Sequence, residues 1–152
     1  MMSLSINMVA QEKLKLSVYQ DVKSFTESTT DVLVKLKMTG KQDRLGYMSI
    51  SPMFEYAELE GIYKRYAFDV GYSLNKLYIK NLEASISVNY GIQERWSKTF
   101  LVFGADAELL YKLTDNISLS ILLQSVQRKD LLWAYEDRVI RFSGFAGITV
   151  EL

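Results

Sequence analysis

Leu82-Glu83-Ala84-Ser85-Ile86-Ser87-Val88-Asn89-Tyr90-Gly91-Ile92 decides how this chain folds. Leu82, Ala84, Ile86, Val88, Tyr90 and Ile92 fall on one face of an extended strand, and Glu83, Ser85, Ser87, Asn89 and Gly91 fall on the other. Alternation at period two marks a strand with two unlike faces. The stretch is long for a strand in a soluble sheet, but it has the length a tilted strand needs to cross a bilayer.

The same alternation, read outward between turn signals, predicts eight strands at 13–20, 31–39, 46–57, 63–74, 81–93, 98–112, 116–128 and 138–152. Over 104–113, helix formers such as Ala105, Ala107 and Leu109 compete with this reading. The period-two series Leu101, Phe103, Ala105, Ala107, Leu109, Tyr111 favours a strand. The connections alternate in character. Gly40–Arg44, Asn75–Lys80 and Leu113–Asn116 are compact, whereas Asp21–Thr30, Glu58–Ile62, Glu94–Ser97 and Lys129–Asp137 are more polar, the first and last being wider. Short turns at one end and longer loops at the other suit an up-and-down barrel with both termini on the short-turn side.

Period two does not say which face points inward. The polar face carries Lys35, Lys37, Glu55, Arg65, Asp69, Glu83, Asp106, Glu108 and Arg141, separated mostly by Ser, Gly and Ala. A water-facing surface has no need of so many small residues. The narrow interior of an eight-stranded barrel needs small residues beside paired charges, so these nine are assigned to a lumen ion network. On the apolar face, Tyr56, Tyr66 and Tyr90 lie toward the longer loops, and Tyr72 and Tyr111 toward the short turns. Ile50, Val70, Ile86 and Ile121 lie between them. Two tyrosine belts around an aliphatic band match a lipid-facing wall, because the tyrosine ring favours the headgroup level. The alternative arrangement is a soluble, calycin- or lipocalin-like barrel whose apolar face encloses a small lipophilic ligand.

Composition narrows the function. Lysine plus arginine and aspartate plus glutamate balance at 18 each over 152 residues, so no basic field is available for nucleic acid. Mean hydropathy is near zero. There is no cysteine and no histidine. Disulfides, thiolate nucleophiles, the usual general base and the commonest metal ligand are all missing, so neither an enzyme nor a metal or cofactor site is expected. Asp106 and Glu108 with Glu83 have no other catalytic partner and read as members of the ion network. Met1–Ala10 is open to two readings, the back half of a secretory signal or a short apolar tail, with one barrel domain over 11–152. Trp96, Trp133 and Tyr135 are loop aromatics that suit either the headgroup layer or contact with a surface partner. Asn116-Ile117-Ser118 matches a glycosylation sequon but falls in a tight turn.

Taken together, residues from about Lys13 to Leu152 resemble the small eight-stranded outer-membrane β-barrels of Gram-negative bacteria, the OmpA-transmembrane and OmpX-like class. The resemblance is one of pattern. Its most local part is the closing stretch Arg141-Phe142-Ser143-Gly144-Phe145-Ala146-Gly147-Ile148-Thr149-Val150-Glu151-Leu152, similar to the final-strand assembly signal of that class. Leu152 and Val150 stand where the class prefers aromatics, and Pro52, inside a predicted strand, should produce a bulge. The resemblance implies a monomer in the bacterial outer membrane. Its partners would be membrane lipid, the assembly machinery through the last strand, and a surface partner at the loops. Barrel enzymes of this kind use histidine. The implied role is structural or surface-interactive, with no wide channel.

Overall fold

The structure, a computed structural model, describes residues 13–27, 29–58, 61–75, 77, 79–136 and 140–152, without the side chain of Tyr135. The expectations for residues 1–10 lie outside this range. Eight strands run in order: β1 (Lys13–Asp21), β2 (Thr30–Thr39), β3 (Gly46–Glu58), β4 (Ile62–Leu74), β5 (Leu82–Arg95), β6 (Lys98–Lys112), β7 (Ile117–Gln127) and β8 (Ile140–Glu151). Each pairs antiparallel with its sequence neighbours, and β1 pairs with β8 to close the barrel. Closure leaves no unpaired edge, which is the condition for a sheet to sit in hydrocarbon. The predicted strands match to within two residues at each end, and 104–112 is strand throughout, with Leu113 beginning the turn.

The direction of the faces is settled by exposure. Ile86 and Val88 are 70% and 66% exposed, while Lys35 and Arg65 are 1% and 0% exposed. Ile50, Phe68, Val70, Leu109, Ile121, Leu123 and Ile148 continue the exposed apolar wall around the barrel. This is the reverse of a soluble barrel. The calycin-like alternative fails because its ligand cavity would have to be lined by these outward residues. Burying charges inside and aliphatics outside lowers free energy only where hydrocarbon surrounds the wall.

Two local features differ from expectation. Pro52 makes no bulge: its pairing with Phe68 is unbroken, and the register between β2 and β3 is the same on either side of it. Pairing to β2 lapses only between Lys35↔Met53 and Met38↔Ile50. A strand residue turns its N–H and C=O to one neighbour only, so the missing proline N–H affects a single ladder. The two wider loops each contain a helix, α1 (Ser24–Glu27) and α2 (Lys129–Tyr135). Segments this short show too little of a 3.6-residue period to be read from pattern. The β5–β6 connection is a tight hairpin in which Trp96 and Ser97 both have positive φ, 48° and 59°, as the twist of a two-residue turn requires.

Candidate functional site

Inward residues from all eight strands fill the barrel with a polar stack. At the turn end, the Lys15 ammonium lies 2.8 Å from Glu83 Oε2 and donates to the Tyr47 hydroxyl at 2.8 Å. Tyr47 in turn donates to Glu83. One layer up, Glu108 accepts from Lys37, Tyr19 and Ser85, the serine at 2.9 Å. Ser17 and Thr149 share a hydrogen bond at 2.8 Å across the β1–β8 seam. At mid-barrel, Lys35 sits 2.5 Å from Asp69 and 3.6 Å from Asp106. Asp69 also accepts from Ser87, and Asp106 from Asn89.

Small inward residues make room for these chains. A Cβ on Gly91 would fall 2.0 Å from the Tyr66 carbonyl oxygen, so only glycine lets β4 and β5 approach as they do.

Toward the loop end, Arg65 pairs with Glu55 at 2.9 Å. Above it, Asp130 of α2 reaches into the barrel mouth and accepts from Arg95 at 3.0 Å and from Arg128 at 2.9 and 2.8 Å. Burial of Asp130 acts to raise its pKa. The hydrogen bond and charge of Arg128, with smaller contributions from Gln93 and Arg95, outweigh that and hold it at about 2. Burial opposes the charge of Arg128, yet its pKa is raised, the bond to Asp130 outweighing desolvation. The same loop presents an aromatic face. Trp96 and Trp133 lie 6.3 Å apart between ring centroids. Lys98 Nζ stands 3.6 Å over the Trp133 ring, and the Arg95 guanidinium 4.1 Å over Trp96.

Eight of the nine residues assigned to the lumen network thus meet in ion pairs: Lys35, Lys37, Glu55, Arg65, Asp69, Glu83, Asp106 and Glu108. Arg141 is the ninth. It lies on the inward side of β8, opposite buried Val126, but near the loop end of the strand, where it is exposed at the mouth. Tyr66, Tyr90 and Tyr111 are exposed on the outer wall. Tyr56 and Tyr72 are half-buried there and donate to Glu58 at 2.8 Å and to Asp43 at 2.7 Å. Phe54 packs beside Tyr66, and Phe103 beside Tyr90, at 5.0 and 4.9 Å between centroids.

Lys15, Tyr19, Tyr47 and Gln93 belong to the interior although sequence reasoning missed them. Their side of the strand was legible: Tyr47 is in phase with Ser49 and Ser51, and Lys15 with Ser17. The link from Asp130 to Arg95 had no signal, because it joins a loop helix to a strand 35 residues away. Among the described residues no group of His, Cys, Asp or Glu is arranged to hold a metal ion.

No protein-family model matches this chain, and no curated protein matches it in sequence. Solved structures do. The N-terminal β-barrel domain of Pseudomonas aeruginosa OprF superposes with a TM-score of 0.59 at 10% identity, over 93% of this chain and 98% of that one. The Yersinia pestis outer membrane protein Ail gives 0.57 at 14% identity, over 92% and 99%. A de novo designed transmembrane β-barrel gives 0.54 at 11% identity, over 92% and 95%. At such identities the likeness is one of fold, and the fold is that of the small eight-stranded transmembrane β-barrels.

Proposed function

We propose that this chain is a bacterial outer-membrane barrel that acts through its loop end, in a structural or surface-interactive role, with its interior serving as a stabilising plug. One observation carries the reading: polarity is divided between the two compartments. Charged groups are spent on one another inside the barrel, whereas α1, the turn before it and α2 at the mouth expose Val22, Phe25, Leu132 and Trp133. Apolar side chains held outside the barrel wall, on a helix pinned from within by Asp130, suit contact with a partner or with the headgroup layer.

In this reading the loop end faces the exterior, the barrel works as a monomer without catalysis, and β8 with Leu152 is what the assembly machinery recognises. An interior packed with side chains supports a plugged barrel in preference to a wide channel.

The test is fractionation followed by gel mobility before and after boiling, then protease treatment of whole cells. The expected result is a detergent-extracted protein with a heat-dependent shift, cut from outside within the Asp21–Thr30 or Lys129–Glu136 loops. Recovery in the soluble fraction, or cleavage only after the cells are opened, would overturn the membrane placement or the sidedness respectively.

A further inference from the structure

At the loop end a cleft of about 400 Å³ opens beneath α1 and beside α2. Its charges are sorted by strand. Asp21, Asp31, Glu55 and Glu58, on the consecutive strands β1, β2 and β3, form with Glu27 of α1 an acidic arc that also holds Lys23. Arg95 on β5, Arg128, which follows β7, and Arg141 on β8 form a basic arc, with Leu131 of α2 beside them. Asp31 is only 6% exposed, lines this cleft, and its Oδ1 has no hydrogen-bond partner. Glu55, beside it, is ion-paired with Arg65 through Oε2. A buried carboxylate oxygen without a donor is costly to retain, so that of Asp31, in a concave, two-signed site, points to a donor brought by a ligand.

We infer that this cleft binds a small zwitterion, its ammonium group donating to Asp31 within the acidic arc and its carboxylate facing Arg128 and Arg141. The acids are not disposed as metal ligands, which argues for a donor group rather than a metal ion. A long polycation would be repelled by the guanidinium groups, and a dianion by the carboxylates. A ligand carrying both signs, of the size of a free amino acid or dipeptide, complements both arcs, and the volume lies within the usual range for small-molecule sites.

The test uses the full barrel folded in a non-ionic detergent, titrated calorimetrically with 6-aminohexanoate as the probe. Cadaverine, with two ammonium groups, and adipate, with two carboxylates, are run in parallel. Saturable binding of 6-aminohexanoate is expected, with both comparison compounds weaker. Asp31→Asn, which keeps the shape but removes the charge, is expected to weaken the probe by about tenfold or more, as for loss of a charge-assisted hydrogen bond. Folding of the variant is checked by its heat-dependent gel shift. Should that variant not fold, amide shifts in the unaltered protein provide the second readout, and on probe addition they are expected to move at Asp21, Asp31 and Ser143. Absence of binding, equal binding of cadaverine or adipate, an unchanged affinity in folded Asp31→Asn, or shifts confined to other regions would each overturn the assignment. None of these outcomes bears on whether the chain is a membrane barrel.

Discussion

The two halves of the barrel interior solve the same problem differently. In the turn-end half each charged group has a charged partner and at least one further donor or acceptor: Lys15 has Glu83 and Tyr47, and Glu108 has Lys37, Tyr19 and Ser85. Among the described residues below the mid-barrel level of Ser51, Asp69 and Asp106, the buried side-chain atoms lacking a hydrogen bond are hydroxyls, those of Ser73 and Ser120. In the loop-end half they include Asp31 Oδ1, Gln127 Oε1, and Nε and Nη1 of Arg65. A buried charge is tolerable when paired and hydrogen-bonded. The turn end meets that condition and acts as structure. The loop end meets it incompletely, and that is where the wider loops and their helices α1 and α2 are found. The difference separates the part of the lumen that holds the barrel together from the part open to the outside.

The largest expected effect is at the saturated end. Glu108→Ala strands Lys37 and Tyr19 in the interior and should cost about 3–5 kcal/mol, read as the shift of the urea unfolding midpoint in detergent. The double replacement Lys37→Met with Glu108→Leu removes both charges and should recover most of that loss. If the single variant unfolds no earlier than the parent protein, the turn-end network is not structural and the comparison breaks.

Arg65→Met probes the sparser half. It leaves Glu55 unpaired, but Glu55 lines the loop-end cleft, where its carboxylate can be hydrated, so the cost should be smaller, about 1–3 kcal/mol. A loss equal to that of Glu108→Ala would mean that the two halves are energetically alike.

Smaller again is the pinning of α2. Asp130→Ala should change global stability by about 1 kcal/mol or less, since local opening of a loop need not unfold the barrel. Proteolysis after Lys129 should nevertheless accelerate. The same pin is sensitive to acid. The Asp130 pKa in the folded chain, about 2, lies below the value of about 4 for an unfolded aspartate. Its contribution is therefore complete above about pH 4 and is lost as pH falls toward 2. Protease sensitivity of the loop that stayed flat across that window in the unaltered protein, measured with an acid protease, would remove Asp130 as the anchor.

The smallest stability effect is expected from Phe25→Ser on α1, within about 0.5 kcal/mol, because the side chain is 69% exposed. A large loss would show that Phe25 packs where no contact is now assigned. Loss of a surface interaction with unchanged stability would sharpen the division between plug and loops.

Much of this architecture was legible in sequence because a strand's side-chain period is two and its polarity alternates with it. Glu83 to Ile92 needed no tertiary information to be placed on two faces, and the abundance of serine and glycine between charges indicated which face was inward. Pro52 shows where the reading was too strict. The proline was visible, but whether its missing N–H would be met by a bulge or by a local gap in one ladder depended on how β2 and β4 flank β3.

Partner identity was not legible. Lys35 and Lys37 were expected inside, yet that one pairs with Asp69 and Asp106 and the other with Glu108 follows from barrel stagger, which sets which residues of non-adjacent strands share a level. For the same reason alternation gave Arg141 its side of the strand but not its height, and it stands at the mouth. The pinning of α2 depended on a loop folding back over the barrel, where no periodicity operates. By itself the sequence determined the strands, their faces and the lipid-facing wall, because these rest on local alternation. The tertiary structure decided the pairing of charges, the capping of the mouth and the two-signed cleft, because these depend on distances between residues far apart in the chain.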